Sequence, residues 1–564
     1  MAPEQPSDWQ SWNVSRRMIA PRPYQKDAKE GIFSAFKENN STLLVMATGL
    51  GKTITFAEVA DDMLSKGRVM VLAHRAELIF QAQEKIKMVT GHEPEIEMAD
   101  LHTQVYGFNK SPIVVSTIQT QIAGMDGDGR MTKFEPKDFS LLVIDEAHHS
   151  AAKSYRKVID YYRQNPELKI LGVTATPDRA DEIALGKIFD SVAYEYDIKD
   201  GIDDGWLVDI HWRPVYVEGL DYSHIRTVAG DLNQGQLAEE LERYENLHRM
   251  AEPVINETKD KKTLIFTVSV EQAEKFAEML NRWKPDSANW VCGKTDKDER
   301  ARTFRDFRDG RFQYLVNVGV ATEGFDEPSI EYVVLGRPTK SRSLCAQMIG
   351  RGTRTLPGVI DSGQMPDDRK ALISLSDKPF LTVLDFAGNA GRHRLITPAD
   401  ILGGNYNDEV VERAKKNITK QGSGELLTEL QKAEKELEAE RRKRVAEEQG
   451  KLLRVRAQYS TARINPFDVL DLEPVREKGW NKGRRPSAKQ VAYLKHLGID
   501  TSGLSFTHAS QIIDRCIKNR SEGLATFKQC KVLSKYGYDS KEFTFAQANE
   551  TISQIAANGW RRLI

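Results

Sequence analysis

Between Leu43 and Phe386 the chain alternates near-continuous apolar runs with stretches of helical periodicity. Leu43-Leu44-Val45-Met46, Val69-Met70-Val71-Leu72, Ile113-Val114-Val115 and Leu141-Leu142-Val143-Ile144 form one set. Leu264-Ile265-Phe266, Tyr314-Leu315-Val316, Tyr332-Val333-Val334-Leu335 and Leu381-Thr382-Val383-Leu384 form a second. A strand with one wet face alternates apolar and polar residues, whereas a strand covered on both faces need not. Runs of this kind, separated by helical segments such as Val270 to Trp283, predict parallel sheets flanked by helices. Two sets predict two α/β units in tandem. The join falls near Gly201 to Asp209, where Gly, Asp and Trp break the pattern.

Composition supports a globular chain. Of 564 residues, 40 % are hydrophobic and 29 % charged, which is not the signature of a disordered protein. The net charge of −1 means that any polyanion must be met by local basic patches. Cys292, Cys345, Cys516 and Cys530 form no CxxC pair, so neither a zinc ribbon nor a disulfide framework is indicated. Met1 to Trp12 lacks the basic start and apolar core of a signal peptide. No apolar run approaches the ~20 residues of a spanning helix. The expectation is a cytoplasmic protein with no membrane association.

After Gly404 the texture changes. Glu425 to Arg456 is dense in charge, and the heptad begun by Leu430 and Leu437 fails at Arg444. A solvated helix linking domains accounts for this better than a coiled coil. Further on, Gln490, Leu494, Gly498, Phe506, Ala509 and Ile513 recur 39 residues later as Gln529, Leu533, Gly537, Phe545, Ala548 and Ile552. Each copy predicts a helix, a Gly stop, a turn and a second helix capped by Ser505 or Thr544. Gly479 to Ile564 holds 14 Lys and Arg against 6 Asp and Glu, a surplus of eight positive charges. Two readings of this tail stay open: accessory nucleic-acid binding, or docking of a protein partner.

The chemistry-bearing motifs sit at the ends of the apolar runs. Met46-Ala47-Thr48-Gly49-Leu50-Gly51-Lys52-Thr53 follows the first run and opens a helix. Glycines there let backbone N–H groups close around phosphates. Lys52 brings a charge to the β and γ phosphates, and Thr53 a hydroxyl to Mg²⁺. Met46 stands where the general pattern has its first glycine. Val143-Ile144-Asp145-Glu146-Ala147-His148-His149 ends another run with two carboxylates. Asp145 is placed for Mg²⁺ and Glu146 for polarising a water against the γ-phosphate. His148 and His149 are adjacent and do not share a helix face at i and i+4, so a zinc site is not predicted. Gln347-Met348-Ile349-Gly350-Arg351-Gly352-Thr353-Arg354 carries two arginines suited to bidentate phosphate contact.

The ordered set resembles the superfamily 2 DEAD/DEAH-box helicases over roughly Pro21 to Gly404. Arg22-Pro23-Tyr24-Gln25 resembles the adenine-reading Q motif, Ala47 to Thr53 motif I, and Leu72-Ala73-His74-Arg75 motif Ia. Ser116-Thr117-Ile118-Gln119-Thr120 resembles motif Ib, Asp145 to His148 a DEAH-type motif II, and Thr174-Ala175-Thr176-Pro177 motif III. Asn317 to Asp326 resembles motif V and Gln347 to Arg354 motif VI. Within the superfamily, Thr322-Glu323-Gly324-Phe325-Asp326 and Gly336-Arg337-Pro338-Thr339 are similar to the bacterial and phage group that resembles XPB and the type III restriction motor subunit. Motif VI opens with Gln347, not His, which departs from DEAD-box RNA helicases and favours DNA over RNA.

The resemblance implies two RecA-like domains (21–205 and 206–404), after an N-terminal extension (1–20) and before a charged helical linker (405–478) and a small all-α repeat domain (479–564). It implies ATP and Mg²⁺ as cofactors and an ATP-dependent DNA helicase or translocase. Lys52, Asp145, Glu146, Gln347, Arg351 and Arg354 become the catalytic set. Arg22, Gln25, Thr48, Gly49, Gly51, Lys52, Thr53, Gly324 and Asp326 become nucleotide contacts, with Mg²⁺ held through Thr53 and Asp145. Arg75, Thr117, Thr322 and Arg337 become nucleic-acid contacts. A restriction motor working with a partner nuclease, an annealing clamp and an RNA helicase remain alternatives.

Overall fold

The computed structural model describes residues 20–74, 76–99, 101–103, 111–123, 129–175, 177, 179–228, 230–321, 325–389, 393–404, 406–454, 465–470, 472–536, 538 and 543–560. The chain forms two compact units. One runs to Leu402 and includes Gln421–Leu426; the other comprises Gly403–Lys420 and the chain from Leu427 onward.

The first unit holds two seven-stranded sheets. Strands β1 (Ser41–Met46), β2 (Arg68–Ala73), β3 (Glu95–Glu97), β4 (Ile113–Thr117), β5 (Phe139–Asp145), β6 (Lys169–Thr174) and β7 (Ser191–Tyr196) make the first, in the order β3-β4-β2-β5-β6-β1-β7. Every pairing in it is parallel. The second sheet draws on β8 (Asp209–Pro214), β11 (Thr263–Phe266), β12 (Ala288–Cys292), β13 (Tyr314–Val318), β14 (Tyr332–Leu335), β15 (Phe380–Asp385) and β16 (Gly424–Glu425). Its order is β12-β13-β11-β14-β15-β8-β16, parallel except for β16 on β8. A short hairpin, β9 (Thr227–Val228) with β10 (Asp231–Leu232), lies between β8 and β11 in sequence.

All eight apolar runs are strands, and β1 and β4 are buried along their whole length. In the two large sheets, strands β3, β6, β7, β8, β12 and β16 are not marked by such runs. Their segments, Lys169 to Thr174 for example, are too short or too polar to stand out. They take their places by pairing with strands already fixed. The first core packs Leu43, Met70, Leu142, Ile144 and Phe189 together, and the second packs Ile265, Val316, Val334 and Leu384.

Gly172, on β6, is required by this packing. A methyl group there would lie 2.5 Å from the Phe189 ring and 2.7 Å from Leu43.

Residues Ile198 to Val208 connect the sheets. Trp206 is gripped from both: the Arg369 guanidinium lies 3.9 Å from its ring centre and that of Arg22 4.8 Å, with Tyr24 edge-on at 5.6 Å. Arg369 also donates to the Asp204 carbonyl at 2.8 Å.

In the second unit a 29-residue helix spans Leu426–Arg454. It is not the wholly solvated helix the charge density suggested, because Leu430, Ala433 and Leu437 are buried. The repeat folds as two helix pairs, Ala488–His496 with Phe506–Ser521 and Phe527–Lys535 with Phe545–Ala557. They share one core through Leu494, Ala509, Leu533 and Ala548. Ser505 and Thr544 cap the second helix of each pair, as expected. Among the described residues no helix is long and apolar enough to cross a membrane.

Overpacking a filled core site costs about 1–3 kcal/mol. Gly172→Ala is therefore expected to lower the urea midpoint of the first unit by that much stability, and an unchanged midpoint would contradict the packing described here.

Candidate nucleotide site

Strand β1 runs into a tight loop, Ala47 to Gly51, and Lys52 is the first residue of helix α1 (Lys52–Met63). Gly49 and Gly51 have φ of 90° and 80°, a left-handed backbone that suits glycine. Gly51 has a second reason to lack a side chain: a Cβ would fall 2.4 Å from Gln25 Nε2. That amide donates to the carbonyl oxygens of Leu50 at 3.2 Å and Gly51 at 3.5 Å. Gln25 Oε1 accepts the Arg22 N–H at 2.8 Å, and Tyr24 donates its hydroxyl to Leu50 O at 2.9 Å. Both ends of the Gln25 amide are thus engaged in fastening the Arg22–Gln25 segment to the loop.

Strand β5 ends on Asp145, whose carboxylate accepts the Glu146 N–H at 3.0 Å. Glu146 has φ 48°, a conformation that costs a residue with a side chain on the order of 1–3 kcal/mol and recurs at functional sites. It turns the Glu146 carboxylate inward, to 3.9 Å from Lys52 Nζ and 3.3 Å from His148 Nδ1. Burial pushes the Glu146 pKa up, but the charges of Lys52, His148, Arg351 and His149 outweigh burial and hold it below the usual carboxylate value. His148 is in turn 3.1 Å from Thr174 Oγ1 at the end of β6. His149 stacks on His74, at the end of β2, with ring centres 4.2 Å apart. Among the described residues no group of three or more His, Cys, Asp or Glu is arranged to hold a metal by itself.

The opposite wall is built by helix α2 (Arg342–Gly350) and the residues after it. A methyl group on Gly350 would lie 2.8 Å from Thr48 Cβ, and one on Gly49 would lie 3.3 Å from Arg354 Cγ and 3.5 Å from Arg354 Nε. The end of motif VI therefore lies directly against the loop that opens α1. Arg351 is buried and donates to the Phe325 carbonyl at 2.8 Å. Arg354 pairs with Asp326, while its Nε is buried without a hydrogen-bond partner, as is Gln347 Nε2. Burial, with repulsion from Arg22, brings the Arg354 pKa down to about 10, so it stays charged at neutral pH.

Three residues that the motifs did not reveal fix this wall. Leu207 forms an isolated antiparallel bridge with Arg354, and Val208 N–H donates to Thr353 O at 2.8 Å. Lys378, 1 % exposed, donates to the carbonyl oxygens of Arg354 at 2.8 Å and Pro328 at 2.6 Å. Nothing in the local sequence marks Lys378; only the tertiary fold brings it to both carbonyls.

The remaining predicted positions are dispersed. Thr117 is buried, and its hydroxyl caps a helix by accepting Thr120 N–H at 3.1 Å. Arg337 is half-buried, and its loop is anchored by Asp231, which accepts from Thr339 Oγ1 at 2.7 Å and Lys340 N–H at 2.6 Å. Arg75, Thr322 and Gly324 lie outside the described residues.

A two-walled arrangement of this kind, with a glycine loop and lysine on one sheet and paired arginines from a second, has the architecture of a tandem P-loop protein. Comparison with known proteins narrows the class. Residues 18–179 match the family model of the type III restriction enzyme res subunit, and residues 241–355 that of the helicase conserved C-terminal domain. Over these two segments the chain matches superfamily 2 helicases. It is 28 % identical over 446 residues to "Putative ATP-dependent helicase IRC3" of Saccharomyces cerevisiae, covering 76 % of this chain and 60 % of that protein. It is also 28 % identical to the type I restriction enzyme EcoAI endonuclease subunit of Escherichia coli, covering 59 % of this chain and 44 % of the subunit. The chain thus spans between two fifths and two thirds of these relatives' lengths. Among solved structures, the type ISP restriction-modification enzyme LlaBIII bound to DNA shares the fold, with TM-score 0.50 and 15 % identity over 96 % of this chain and 40 % of that one.

Burial brings the Lys378 pKa down to about 7, with Glu331 and Glu327 opposing the shift and Arg354 adding to it. A lysine depressed from its ordinary value of 10.5 binds fewer protons folded than unfolded, so its contribution to stability grows as pH rises between about 7 and 10 and is lost as pH falls through 7. Lys378→Met is expected to flatten that part of the stability–pH profile, read by urea unfolding at pH 7 and pH 9.5. Parallel profiles for the two proteins would show that Lys378 is not the group responsible.

Proposed function

We propose that this chain is an ATP-driven translocase or helicase acting on DNA, with hydrolysis between its two sheets. The observation that carries the reading is the placement of Arg354 along Gly49, with Arg351 close enough to lower the Glu146 pKa. Both walls of the cleft therefore address one point.

The donor groups suit a triphosphate. Lys52 and the loop N–H groups would take the β and γ phosphates, and Arg351 and Arg354 the γ-phosphate from the other side. An unpaired buried donor such as Arg354 Nε costs about 1–3 kcal/mol, which a phosphate oxygen would relieve. Arg22 and Gln25 would set the base by holding the adenine side of the loop, and Thr48, Gly324 and Asp326 would line the rest. Thr53 and Asp145 supply hard oxygen donors that suit Mg²⁺. When bound, Mg²⁺ neutralises charge that develops on the phosphates.

Glu146, kept anionic by the cations around it, would accept the proton of the attacking water. His148, between Glu146 and Thr174, would carry the state of that carboxylate to the end of β6. Loss of the γ-phosphate removes what the two arginine side chains and Lys52 hold in common, so the walls separate. Such a two-state element is what a motor needs. Grip on the strand would come from phosphate contacts, which carry no sequence preference. Arg75, Thr117, Thr322 and Arg337 are the assigned contacts, although the hydroxyl of Thr117 already caps a helix. The similarity to a type I restriction subunit favours a second reading, a motor that works beside a partner's nuclease. A cytoplasmic location is part of the proposal.

Lys52→Ala is expected to abolish ATP turnover. Glu146→Gln should bind ATP normally and hydrolyse it slowly, so full DNA-stimulated turnover in that variant would sink the assignment of the base. Removal of a comparable arginine costs ~10³–10⁵ in rate. Arg354→Ala should therefore lose turnover on that scale while ATP affinity stays within about tenfold, and the reverse pattern would remove its finger role. Stimulation of turnover by DNA and by RNA, measured side by side, tests the choice of track; stronger stimulation by RNA would overturn it.

A further inference from the structure

Charge in the C-terminal repeat is sorted by helix. Label the four helices α3 (Ala488–His496), α4 (Phe506–Ser521), α5 (Phe527–Lys535) and α6 (Phe545–Ala557). The first helix of each copy, α3 and α5, carries Lys489, Lys495, Lys528, Lys531 and Lys535 and no carboxylate. The second helices differ: α4 mixes Asp514 with Arg515, Lys518 and Arg520, and α6 carries Glu550 alone.

Each pair is built by the same bonds. Gln490 Nε2 donates to Ser510 Oγ at 2.8 Å and Phe506 O at 3.3 Å. Gln529 Nε2 donates to Asn549 Oδ1 at 2.9 Å and Phe545 O at 3.0 Å. Leu494 and Leu533 are fully buried at equivalent positions. The repeat therefore fixes which face of α3 and α5 is left outside.

Lys528, Lys531 and Lys535, at i, i+3 and i+7, form one exposed stripe on α5. Their equivalents on α3 are Lys489, Ala492 and His496, with Lys495 beside them, and all are exposed. The two helices meet end to start, because a methyl group on Gly498, just past α3, would lie 3.9 Å from Lys528 Cε. Among the described residues none of the five lysines has an ion pair or hydrogen bond. Lys482, Arg484 and Arg485 lead into α3, also exposed, with Arg484 over the Phe506 ring at 4.2 Å.

We propose that this unit grips the phosphate backbone of a nucleic acid along the lysine faces of α3 and α5. Five ammonium groups on two helices that themselves carry no carboxylate complement a polyanion. Ammonium groups act as point charges, so they hold phosphates without reading bases. Tyr536 lies beside Lys535, with Nζ 5.7 Å from the ring centre, but five ammonium groups spread along both helices match the spacing of a charged backbone, which points to the phosphates as the contact. The proposal rests on the motor reading only for the choice of polyanion, and it needs no ATP.

The test uses the full chain without nucleotide. Affinity for a 30-base-pair DNA duplex is followed by fluorescence anisotropy across salt concentrations, for the wild type and for Lys489→Gln, Lys495→Gln, Lys528→Gln, Lys531→Gln, Lys535→Gln combined. Each phosphate contact contributes about 0.9 to the slope of log K against log salt on duplex DNA. The wild-type slope is expected to fall by about 2–4 in the variant, with DNA-independent ATP turnover unchanged. A fall of less than about one in a folded variant would overturn the proposal and leave the faces to a protein partner. If the combined variant does not fold, Lys528→Gln with Lys531→Gln alone is judged by a fall of about one to two on the same scale, and an unchanged slope again overturns it. A wild-type chain with no affinity for DNA or RNA would remove the motor reading as well, so the two failures are told apart.

Discussion

A charged guanidinium lying along a glycine backbone organises the first unit. Arg354 is held four ways: its main chain bridges Leu207, its carbonyl accepts from Lys378, its side chain pairs with Asp326, and its stem runs beside Gly49. Burying a charge is costly unless it is paired and bonded. The structure meets that cost only where both sheets are present, since Asp326 and Lys378 belong to one and Gly49 to the other. A side chain on Gly49 would also have to share the space of the Arg354 stem, so the glycine serves the opposite wall as much as its own loop.

The same wall-to-wall contact explains why the connection between the sheets is ordered. Trp206 is clasped by Arg22, Tyr24 and Arg369, while Gly201 gives room to Leu207 and Leu50. The segment that fastens Gln25 to the loop and the helix Pro366–Ser374, which carries Arg369, both lean on this one ring. Movement of the second wall would therefore be felt at the base of α1 through packing and not only through a bound phosphate.

Much of the architecture was readable because strands covered on both faces must be apolar throughout. Leu43 to Met46 and Tyr332 to Leu335 identify themselves in that way, and the glycine spacing of Gly49 and Gly51 marks the loop between them and the chemistry. Strands β6 and β8 were not readable, since Lys169 to Thr174 and Asp209 to Pro214 depend on partners for their conformation. Seams of charge misled in one place: the start of Leu426–Arg454 buries Leu430 and Leu437 despite the glutamates and lysines around them. The repeat was legible from its 39-residue echo, yet the separation of its lysines onto two outer faces required the fold.

By itself, the sequence determined the two parallel sheets, the phosphate loop, the paired carboxylates and the helix pairs at the end, because backbone sterics and periodic burial act over a few residues. Tertiary structure decided what those parts do to each other. It turned Glu146 towards Lys52, set His74 against His149 and carried Lys378 to the carbonyl of Arg354. Electrostatic shifts and buried hydrogen bonds depend on groups far apart in the chain, and their distances exist only once the sheets have come together.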